Sequence, residues 1–598
     1  MDDSPRRIAD YGFLSDCRSA ALVSRDGSVD WWCPGRFDAA SVFARLLDDR
    51  AGHWSIRPAV PFRVRREYLA GSLVLRTVFD TAGGSVAVTD ALAQAPGTQG
   101  HDLGVAAPQV LLRHVEGLAG AVPVWMECAP RMEYGRVTPR MEAVDGAVLA
   151  TGGPAALRLA GTVPLAIGTG VATAELTVAA GDTYGWSLGY APAYAGIGPA
   201  ALDPRRVLDD TVAAWRSWAD LHRAYDGFRT DLVRHSALVV QGLTYRPSGA
   251  VVAAPTTSLP EQLGGDRNYD YRYAWLRDFT LTMRALWVAA CPDESDALFG
   301  WVAAATGQLG DGDPVPIMYG IEGERDLTER SLDHLAGFAG SRPVRVGNEA
   351  WRQRQHDVLG EVLDAAYLFR DRLGPLPDHV RSLLGQLADR AADAWRKPDS
   401  GMWEIRGAER HYLSSKVLCW VALDRAVRFG DALAGPASRE RWAAERDAVR
   451  QAVLEQGWHD GAGAYTGVFG SAELDASVLV MPLVGFLPAE EPRMRATIAA
   501  VEARLGADGL VRRWAQDPAG FLLCTYWLVE CLALAGEVDR AAEWFDRASG
   551  CANDLGLLAE QADPASGEQL GNFPQTFSHI GLVNAAWRLT EVTSGQAR

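Results

Sequence analysis

The sequence predicts a multidomain protein, with an N-terminal antiparallel β-sandwich followed by an all-α toroid of six helical hairpins. At 598 residues the chain is too long for one ordinary core, so two large domains are expected. Short apolar stretches between Gly, Asp and Pro turns fill the first third of the chain, whereas helical periodicity fills the remainder. We therefore predict the β-sandwich domain at residues 1–205, a linker helix at 206–229 and the helical domain at 230–598.

The β assignment depends on short apolar runs spaced like the strands of a sandwich. Ala20–Val23, Leu73–Phe79 and Val110–Arg113 are runs of this kind, and Arg25–Ser28 is a hairpin candidate. The aromatic segment Asp30–Asp38 (DWWCPGRFD) is either a corner of the core, which we favour, or a loop that reaches the pocket of the other domain.

Twelve helix-like segments follow the linker helix. They lie near 230–245, 278–290, 294–308, 357–373, 378–395, 415–429, 437–456, 472–483, 491–504, 519–535, 537–550 and 573–590. In an antiparallel toroid alternate loops emerge at the same end, and the loops after odd-numbered helices are the long ones: 246–277, 309–356, 396–414, 457–471, 505–518 and 551–572. Long loops in a compact domain tend to be functional, so this end is the predicted functional end.

Composition limits the classes of partner. The net charge of -17 argues against nucleic acid and against an anionic membrane surface, and favours a neutral ligand. The start, MDDSPRRIADYGF, has no apolar h-region and no window is apolar enough to span a bilayer, so we expect no signal peptide, no membrane partner and a cytoplasmic location. The eight cysteines form no CxxC pair and favour reduced thiols. With no metal-ligand cluster and no phosphate-binding Gly loop in view, we expect no metal and no cofactor, and the oligomeric state stays open.

The segment Gly401–Ala426 (GMWEIRGAERHYLSSKVLCWVALDRA) holds the first candidate catalytic carboxylate. Glu404 follows Trp403 after a turn and precedes a helix whose N-cap candidates are Ser414 and Ser415. A carboxyl held against an aromatic surface has its neutral form favoured, as a general acid requires. An isolated Trp-Glu pair more often decorates a loop, so the weight of this assignment comes from the neighbouring loops.

Two of those loops carry donors, acceptors and aromatic faces, the combination that suits a polyhydroxylated ring. The first loop ends in RNYDYRYAWLRD at 267–278, and the second ends in GNEAWRQRQHD at 347–357. The candidate contacts are Arg277, Asp278 and Tyr273 on the first loop, and Trp351 as a platform with Gln355 and Asp357 on the second.

A second carboxylate is offered by the last long loop, 551–572. Spacing alone leaves Glu560, in AEQ, and Glu568, in GEQ, as equal alternatives. Glycoside hydrolysis requires at least two carboxyls in unlike environments, here among aromatic residues that could bind a sugar ring.

Taken together, these motifs resemble glycoside hydrolase family 15, the glucoamylase family, and most closely its bacterial trehalase-like branch. The opening IADYGFLSDCRSAALVSRDGSVDW resembles the N-terminal β domain of that branch. RNYDYRYAWLRD, RPVRVGNEAWRQRQHD, GMWEIRG, SSKVLCWVALDRA, LDAS and GNFPQTFSH resemble its catalytic motifs. The resemblance implies a β-sandwich followed by an (α/α)6 barrel, and an inverting, exo-acting α-glucoside hydrolase that releases β-glucose, most closely from α,α-trehalose.

The resemblance also implies roles for individual residues. Glu404 matches the general acid and Glu560 the general base, which leaves Glu568 a supporting role. The matched substrate contacts are Arg277 and Asp278 on the non-reducing glucose, Trp351 as a platform, Trp403 beside the acid, and Arg513 near the scissile bond. In an inverting enzyme the two carboxyls are about 6.5–9.5 Å apart, which leaves room for the attacking water.

The sequence departs from the family pattern in two places. The loop after Arg513 is reduced to WAQDP at 514–518, and Gly571 stands where some glucoamylases place a hydroxyl residue beside the base. The first departure leaves a glucoamylase or isomalto-oligosaccharide glucohydrolase as the alternative function. An inverting disaccharide phosphorylase and a non-catalytic glucan-binding protein are further alternatives.

Overall fold

A computed structural model describes residues 6–197, 203–288, 291–307, 314–373 and 375–595. Residues 198–202, at the end of the predicted β segment, lie outside the described residues. The protein has an N-terminal β-sheet domain and a helical C-terminal domain, as the change in sequence pattern predicts.

The β-sheet domain is one antiparallel network of fourteen strands. The strands are β1 Tyr11–Ser15, β2 Ala20–Ser24, β3 Ser28–Trp32, β4 His53–Pro58, β5 Phe62–Tyr68, β6 Leu75–Thr81, β7 Gly84–Leu92, β8 Val110–Ala129, β9 Arg140–Val144, β10 Ala147–Gly152, β11 Ala155–Gly161, β12 Ala166–Gly168, β13 Val171–Ala179 and β14 Thr183–Pro192. The 20-residue strand β8 pairs with β7 and β14 along its first half and with β4 and β13 along its second half. The predicted hairpin at Arg25–Ser28 is confirmed, because β2 and β3 pair across a turn in which Gly27 adopts a φ of 80°.

Each of the twelve predicted helical segments contains a helix. The helices are α1 Met132–Gly135, α2 Pro204–Leu221, α3 Thr230–Gly242, α4 Leu276–Val288, α5 Pro292–Thr306, α6 Asp357–Leu368, α7 Arg370–Leu373, α8 Asp378–Ala394, α9 Leu413–Phe429, α10 Pro436–Gln456, α11 Val480–Leu483, α12 Pro492–Leu505, α13 Leu522–Leu534, α14 Val538–Ser549 and α15 Thr576–Thr593. Helix α2 begins two residues before the segment predicted as the linker helix, 206–229, and ends within it. Within the described ranges, no helix combines the length and the apolar character needed to cross a bilayer.

Two-residue strands occur in the loops between these helices. They are β15 Thr244–Tyr245, β16 Ala250–Val251, β17 Ala274–Trp275, β18 Met318–Tyr319, β19 Arg330–Ser331, β20 Arg345–Val346, β21 Trp458–His459, β22 Ala464–Tyr465, β23 Gly506–Ala507, β24 Leu510–Val511, β25 Gly520–Phe521, β26 Gln561–Ala562 and β27 Gln569–Leu570. Their pairing gives the long loops a defined path, because it satisfies backbone groups that no helix uses.

Six helical segments contact one another in a closed ring. Helix α4 contacts α6, α6 contacts α9, and α9 contacts the short helical turn that leads into α11. That turn and α11 contact α13, which contacts α15, and α15 returns to α4. Helix α13 is buried around its whole circumference from Leu522 to Ala533, as expected of a helix enclosed by others.

The predicted N-cap of α9 is wrong. The helix begins at Leu413, and Tyr412, whose side chain makes no capping bond, is the N-cap residue. Ser414 and Ser415 therefore lie inside the first turn. The helix begins earlier because Tyr412 is held extended by its bridge to Val468, so the chain turns into the helix directly after it.

The aromatic corner of the β-sheet domain supports the first long loop of the helical domain. Trp31 is fully buried, and its Nε1 donates to the backbone oxygen of Pro255 at 2.9 Å. The guanidinium of Arg272 lies 5.9 Å from the Trp31 ring centroid and binds Asp270 at 2.7 Å. The segment is thus a core corner, as we favoured, and it also holds the loop that enters the candidate site.

Candidate active site

A cavity of about 200 Å³ lies among the loops that lead into the ring helices. Its wall combines carboxylates, guanidinium groups and aromatic rings. The chemically informative lining residues are Glu261, Arg267, Tyr269, Tyr271, Trp275, Arg277, Asp278, Asn348, Trp403, Glu404, Arg406, Arg513, Trp514, Phe521, Glu560 and Phe577. Five of the six predicted long loops contribute to this wall, and among the described residues only 457–471 does not.

Glu404 is presented to the cavity by a tight turn. Its backbone N donates to Gly401 O at 3.3 Å, and its φ of 57° is in the left-handed region, which costs a non-glycine residue about 1–3 kcal/mol. The carboxylate Oε1 accepts hydrogen bonds from Trp275 Nε1 at 2.7 Å and from Arg277 Nη2 at 3.1 Å. The indole that meets this carboxylate is therefore Trp275 and not Trp403, whose Nε1 donates to Asp475 at 2.8 Å.

Glu560 lies on the loop before β26 and is more enclosed. Its Oε1 accepts a hydrogen bond from Tyr271 OH at 2.9 Å, whereas its buried Oε2 has no partner in the part of the chain that the structure describes. Burial, followed by the nearby charge of Glu261, raises the pKa of Glu560 to about 8, although Arg513 opposes the shift. The neutral form of Glu560 is thus favoured in the ligand-free protein.

The two carboxyls are connected along the cavity wall by two aromatic residues. Tyr271 binds Glu560, Trp275 binds Glu404, and the rings of Tyr271 and Trp275 pack edge to face with their centroids 5.5 Å apart. Both aromatic residues belong to the quoted motif at 267–278, but the sequence offered no reason to prefer them over Tyr273.

Arg513, beside Glu560, forms ion pairs with two carboxylates, Glu261 and Asp517. Its Nη2 binds Glu261 at 2.5 Å and its Nε binds Asp517 at 2.7 Å. Burial would raise the pKa of Glu261, but Arg513 and Arg267 together lower it below its usual range. The shortened segment after Arg513 thus folds back so that Asp517 pairs with Arg513. Glu261 was missed by sequence reasoning because it belongs to none of the motifs.

Arg277 and Asp278 both line the cavity. Arg277 also donates to the backbone oxygen of Met402, and its guanidinium lies 5.5 Å from the ring centroid of Phe577. Burial raises the pKa of Asp278 to about 8 against the lowering effect of Arg277. Asp278 Oδ1 is buried without a hydrogen-bond partner among the described residues, so it is an acceptor available to a ligand.

Five predicted site residues lie outside the cavity lining: Tyr273, Trp351, Gln355, Asp357 and Glu568. Trp351 is covered by Arg352, whose guanidinium is 4.8 Å from the Trp351 ring centroid. Gln355 donates to the side chain of Gln353 at 3.1 Å. Asp357 is fully buried at the start of α6, where burial raises its pKa to about 7.

Tyr273 and Glu568 face toward the β-sheet domain side of the molecule. Burial raises the pKa of the Tyr273 phenol, and the negative charge of Asp270, which forms a buried ion pair with Arg272, raises it further. Burial also raises the pKa of Glu568, and the charge that opposes this shift most is Arg7 near the start of the chain. Neither side chain lines the cavity, so the structure separates Glu568 from Glu560.

Gly571 allows Glu560 to occupy its position. A Cβ atom at Gly571 would lie 2.6 Å from Glu560 Oε2, and the φ of Gly571 is 81°. A hydroxyl side chain therefore does not fit beside this carboxyl, which accounts physically for the second departure from the family pattern.

Comparisons with known proteins agree with this arrangement. The family model described as glycosyl hydrolases family 15 matches residues 227–587, and a model described as trehalase-like, N-terminal, matches residues 1–182. The chain is 38% identical to a trehalase of Mycolicibacterium smegmatis, over 97% of this chain and 90% of the relative. It is 36% identical to a trehalase of Mycobacterium tuberculosis, over 97% of this chain and 89% of the relative.

A crystal structure of a bacterial glucoamylase complexed with acarbose has the same fold. The two structures superimpose with a TM-score of 0.72, covering 99% of this chain and 96% of the glucoamylase, at 12% sequence identity. The fold, the family model and the trehalase relatives agree. This chain is a glycoside hydrolase and belongs to glycosyl hydrolases family 15.

Proposed function

We propose that the chain is an inverting, exo-acting α-glucoside hydrolase whose substrate is α,α-trehalose, which it splits into two glucose molecules. The observation that carries the proposal is the pair of carboxyls, Glu404 and Glu560, on separate loops of one cavity and in unlike surroundings. The choice of trehalose is supported by the trehalases that match over nearly the whole chain.

In the proposed reaction Glu404 donates a proton to the glycosidic oxygen, while ionised Glu560 removes a proton from the attacking water. The water attacks the anomeric carbon from the face opposite the leaving group, so the glucose formed from the attacked ring is β-glucose. The leaving glucose of trehalose keeps its α configuration. A carboxyl separation of about 6.5–9.5 Å remains the prediction for this mechanism.

Substrate binding should rearrange the hydrogen bonds of Arg277. In the ligand-free protein Arg277 and Trp275 both donate to Glu404. We propose that sugar hydroxyls take over donors of Arg277 and bind the unpartnered oxygen of Asp278, so that Glu404 can hold a proton for the leaving group. Trp403 and Arg513 contact the sugar from the same wall. Roles for Tyr273, Trp351, Gln355, Asp357 and Glu568 stay predictions.

We further propose the finer architecture, an antiparallel β-sandwich at 1–205, a linker at 206–229 and an (α/α)6 barrel at 230–598. The closed ring of helix contacts supports the barrel, and the two-sided pairing of β8 supports the sandwich. The neutral carbohydrate partner fits the net charge of -17, and the cytoplasmic location stays a prediction.

Purified protein incubated with trehalose, maltose, isomaltose or maltotriose, each with and without phosphate, should release β-glucose fastest from trehalose. The product anomer is read by NMR before mutarotation, and phosphate should not be required. Preference for maltose or isomaltose would favour the glucohydrolase alternative, and phosphate-dependent glucose 1-phosphate would favour a phosphorylase. Trehalose should at first give equal amounts of β- and α-glucose, because the leaving glucose keeps its α configuration, so α-glucose as the only product would contradict inversion. No release of glucose from any sugar would contradict the hydrolase.

The proposed base also predicts a pH dependence. Hydrolysis needs Glu560 ionised and Glu404 protonated, so kcat/KM for the free enzyme should follow a bell-shaped pH profile. Burial raises the pKa of Glu560 to about 8, which places one limb of that profile near pH 8. Glu261→Gln removes a neighbouring negative charge and should move this limb to lower pH. Glu409→Gln, at an exposed carboxylate paired with Arg354, is the matched control and should leave the profile unchanged. A profile that E261Q does not move would contradict this coupling.

A further inference from the structure

Three potential metal ligands from distant parts of the chain meet where the β-sheet domain, α2 and α5 come together. His101 lies in the loop after β7, His222 directly follows α2, and Glu294 lies in the first turn of α5. One ligand atom from each side chain lies within 4.8 Å of the other two. None of the three lines the catalytic cavity.

Trp218, near the end of α2, forms hydrogen bonds that orient two of these side chains, His222 and Glu294. Its backbone oxygen lies 2.7 Å from His222 Nδ1, so Nδ1 carries the proton and Nε2 keeps its lone pair in a neutral ring. Its indole Nε1 donates to Glu294 Oε1 at 2.9 Å. Hydrogen bonds of this kind orient metal ligands in known sites, and here they leave His222 Nε2 and Glu294 Oε2 available.

The two available atoms are buried and face each other. His222 Nε2 and Glu294 Oε2 are 3.8 Å apart, their side chains are each 3% exposed, and neither atom has a hydrogen-bond partner in the described ranges. The separation is too long for a hydrogen bond. Because zinc lies about 2.0–2.2 Å from its nitrogen and oxygen ligands, both atoms are within reach of one ion.

His101 completes the cluster from the β-sheet domain. Its Nε2 lies 3.2 Å from Asp293 Oδ2, and its Nδ1 lies 3.0 Å from Glu294 Oε1. A neutral imidazole donates from one nitrogen only. The lone pair of the other His101 nitrogen would then face a lone pair of a carboxylate oxygen, and the two would repel each other. A cation, either a proton or a metal ion, removes this repulsion.

We propose that His101, His222 and Glu294 bind one divalent transition-metal ion, best matched by zinc, that ties α2 and α5 to the β-sheet domain. Two imidazoles and a carboxylate are zinc ligands, whereas magnesium prefers sites built from oxygen alone. The site contributes to stability and takes no part in glycoside hydrolysis.

The test measures zinc binding directly and so does not depend on the proposed activity. The full chain, stripped with a chelator, is titrated with ZnCl₂ by calorimetry, and bound metal is counted by mass spectrometry. We expect one tightly bound zinc ion, a higher Tm with zinc and much weaker binding of MgCl₂. H222Q and E294Q should each weaken zinc binding by about tenfold or more. H379Q, which replaces an exposed histidine on α8, is the matched control and should bind zinc like the unaltered protein.

His222 and Glu294 are buried, so their replacement can also affect folding. H101Q changes the partly exposed third ligand, and it too should weaken zinc binding while the protein stays folded. Equal zinc binding by the unaltered protein and all three ligand variants would overturn the proposal. Absence of zinc binding by the unaltered protein would also overturn it, and would identify the cluster as a His–Glu group bridged by protons.

Discussion

Glu404→Gln should lower kcat on trehalose by about 10²–10⁴-fold, the contribution usual for a general acid. The amide cannot protonate the glycosidic oxygen, but it can still accept the hydrogen bonds from Trp275 and Arg277 that hold the side chain in place. The backbone strain at φ 57° is the same for Gln as for Glu, so the fold and Tm should change little.

The substrate α-glucosyl fluoride separates a missing proton from a damaged site. Fluoride leaves without protonation, so E404Q should hydrolyse this substrate at a rate close to that of the unaltered enzyme. Glu409→Gln, on the same loop but exposed, is the control and should keep full activity on both substrates. Full turnover of trehalose by E404Q, or equal loss on both substrates, would show that Glu404 is not the general acid.

Glu560→Gln should also lower kcat by about 10²–10⁴-fold, and it should do so on trehalose and on α-glucosyl fluoride alike. Both substrates need an activated water, and an amide cannot take its proton. Glu568→Gln tests the choice between the two Glu-Gln segments, and it should lower kcat far less because Glu568 lies outside the cavity wall. A larger loss in E568Q than in E560Q would reverse the assignment of the base.

Stability supplies a second measurement on E560Q. The pKa of Glu560 is raised from 4.5 to about 8 in the folded protein, so its neutral form contributes stability that is fully present below pH 4.5 and is lost as the pH rises from there to about 8. Gln resembles the neutral form at every pH. The Tm of E560Q should therefore match that of the unaltered protein near pH 4 and exceed it near pH 9. A lower Tm at pH 9 would contradict the buried, raised-pKa environment of Glu560.

Sequence patterns between neighbouring residues were sufficient to predict much of the fold and the loops that line the candidate site. Hydrophobic periodicity located the twelve helical segments, and Gly, Pro and Asp marked the turns, because both signals arise between residues close in the chain. Loop length then indicated the functional end, where Glu404, Arg277, Asp278, Arg513 and Glu560 do line one cavity. Motif resemblance, and not spacing, separated Glu560 from Glu568.

What surrounds each carboxyl was decided by tertiary structure alone. Trp275 meets Glu404 across 129 positions, and Tyr271 meets Glu560 across 289. The Trp403 beside Glu404 in the sequence turns to Asp475 instead, because adjacent side chains on a tight turn point in different directions.

The same reason explains why the sequence did not reveal the proposed metal site. His101, His222 and Glu294 have no ligand spacing that a motif search recognises, since each comes from a different element. The sequence by itself determined the two domain types, the helices and the identity of the catalytic family. Only the packing of the domains decided which charged groups lie close together and which side chains form hydrogen bonds. The electrostatic environment of a group depends on distance in space and not on distance along the chain.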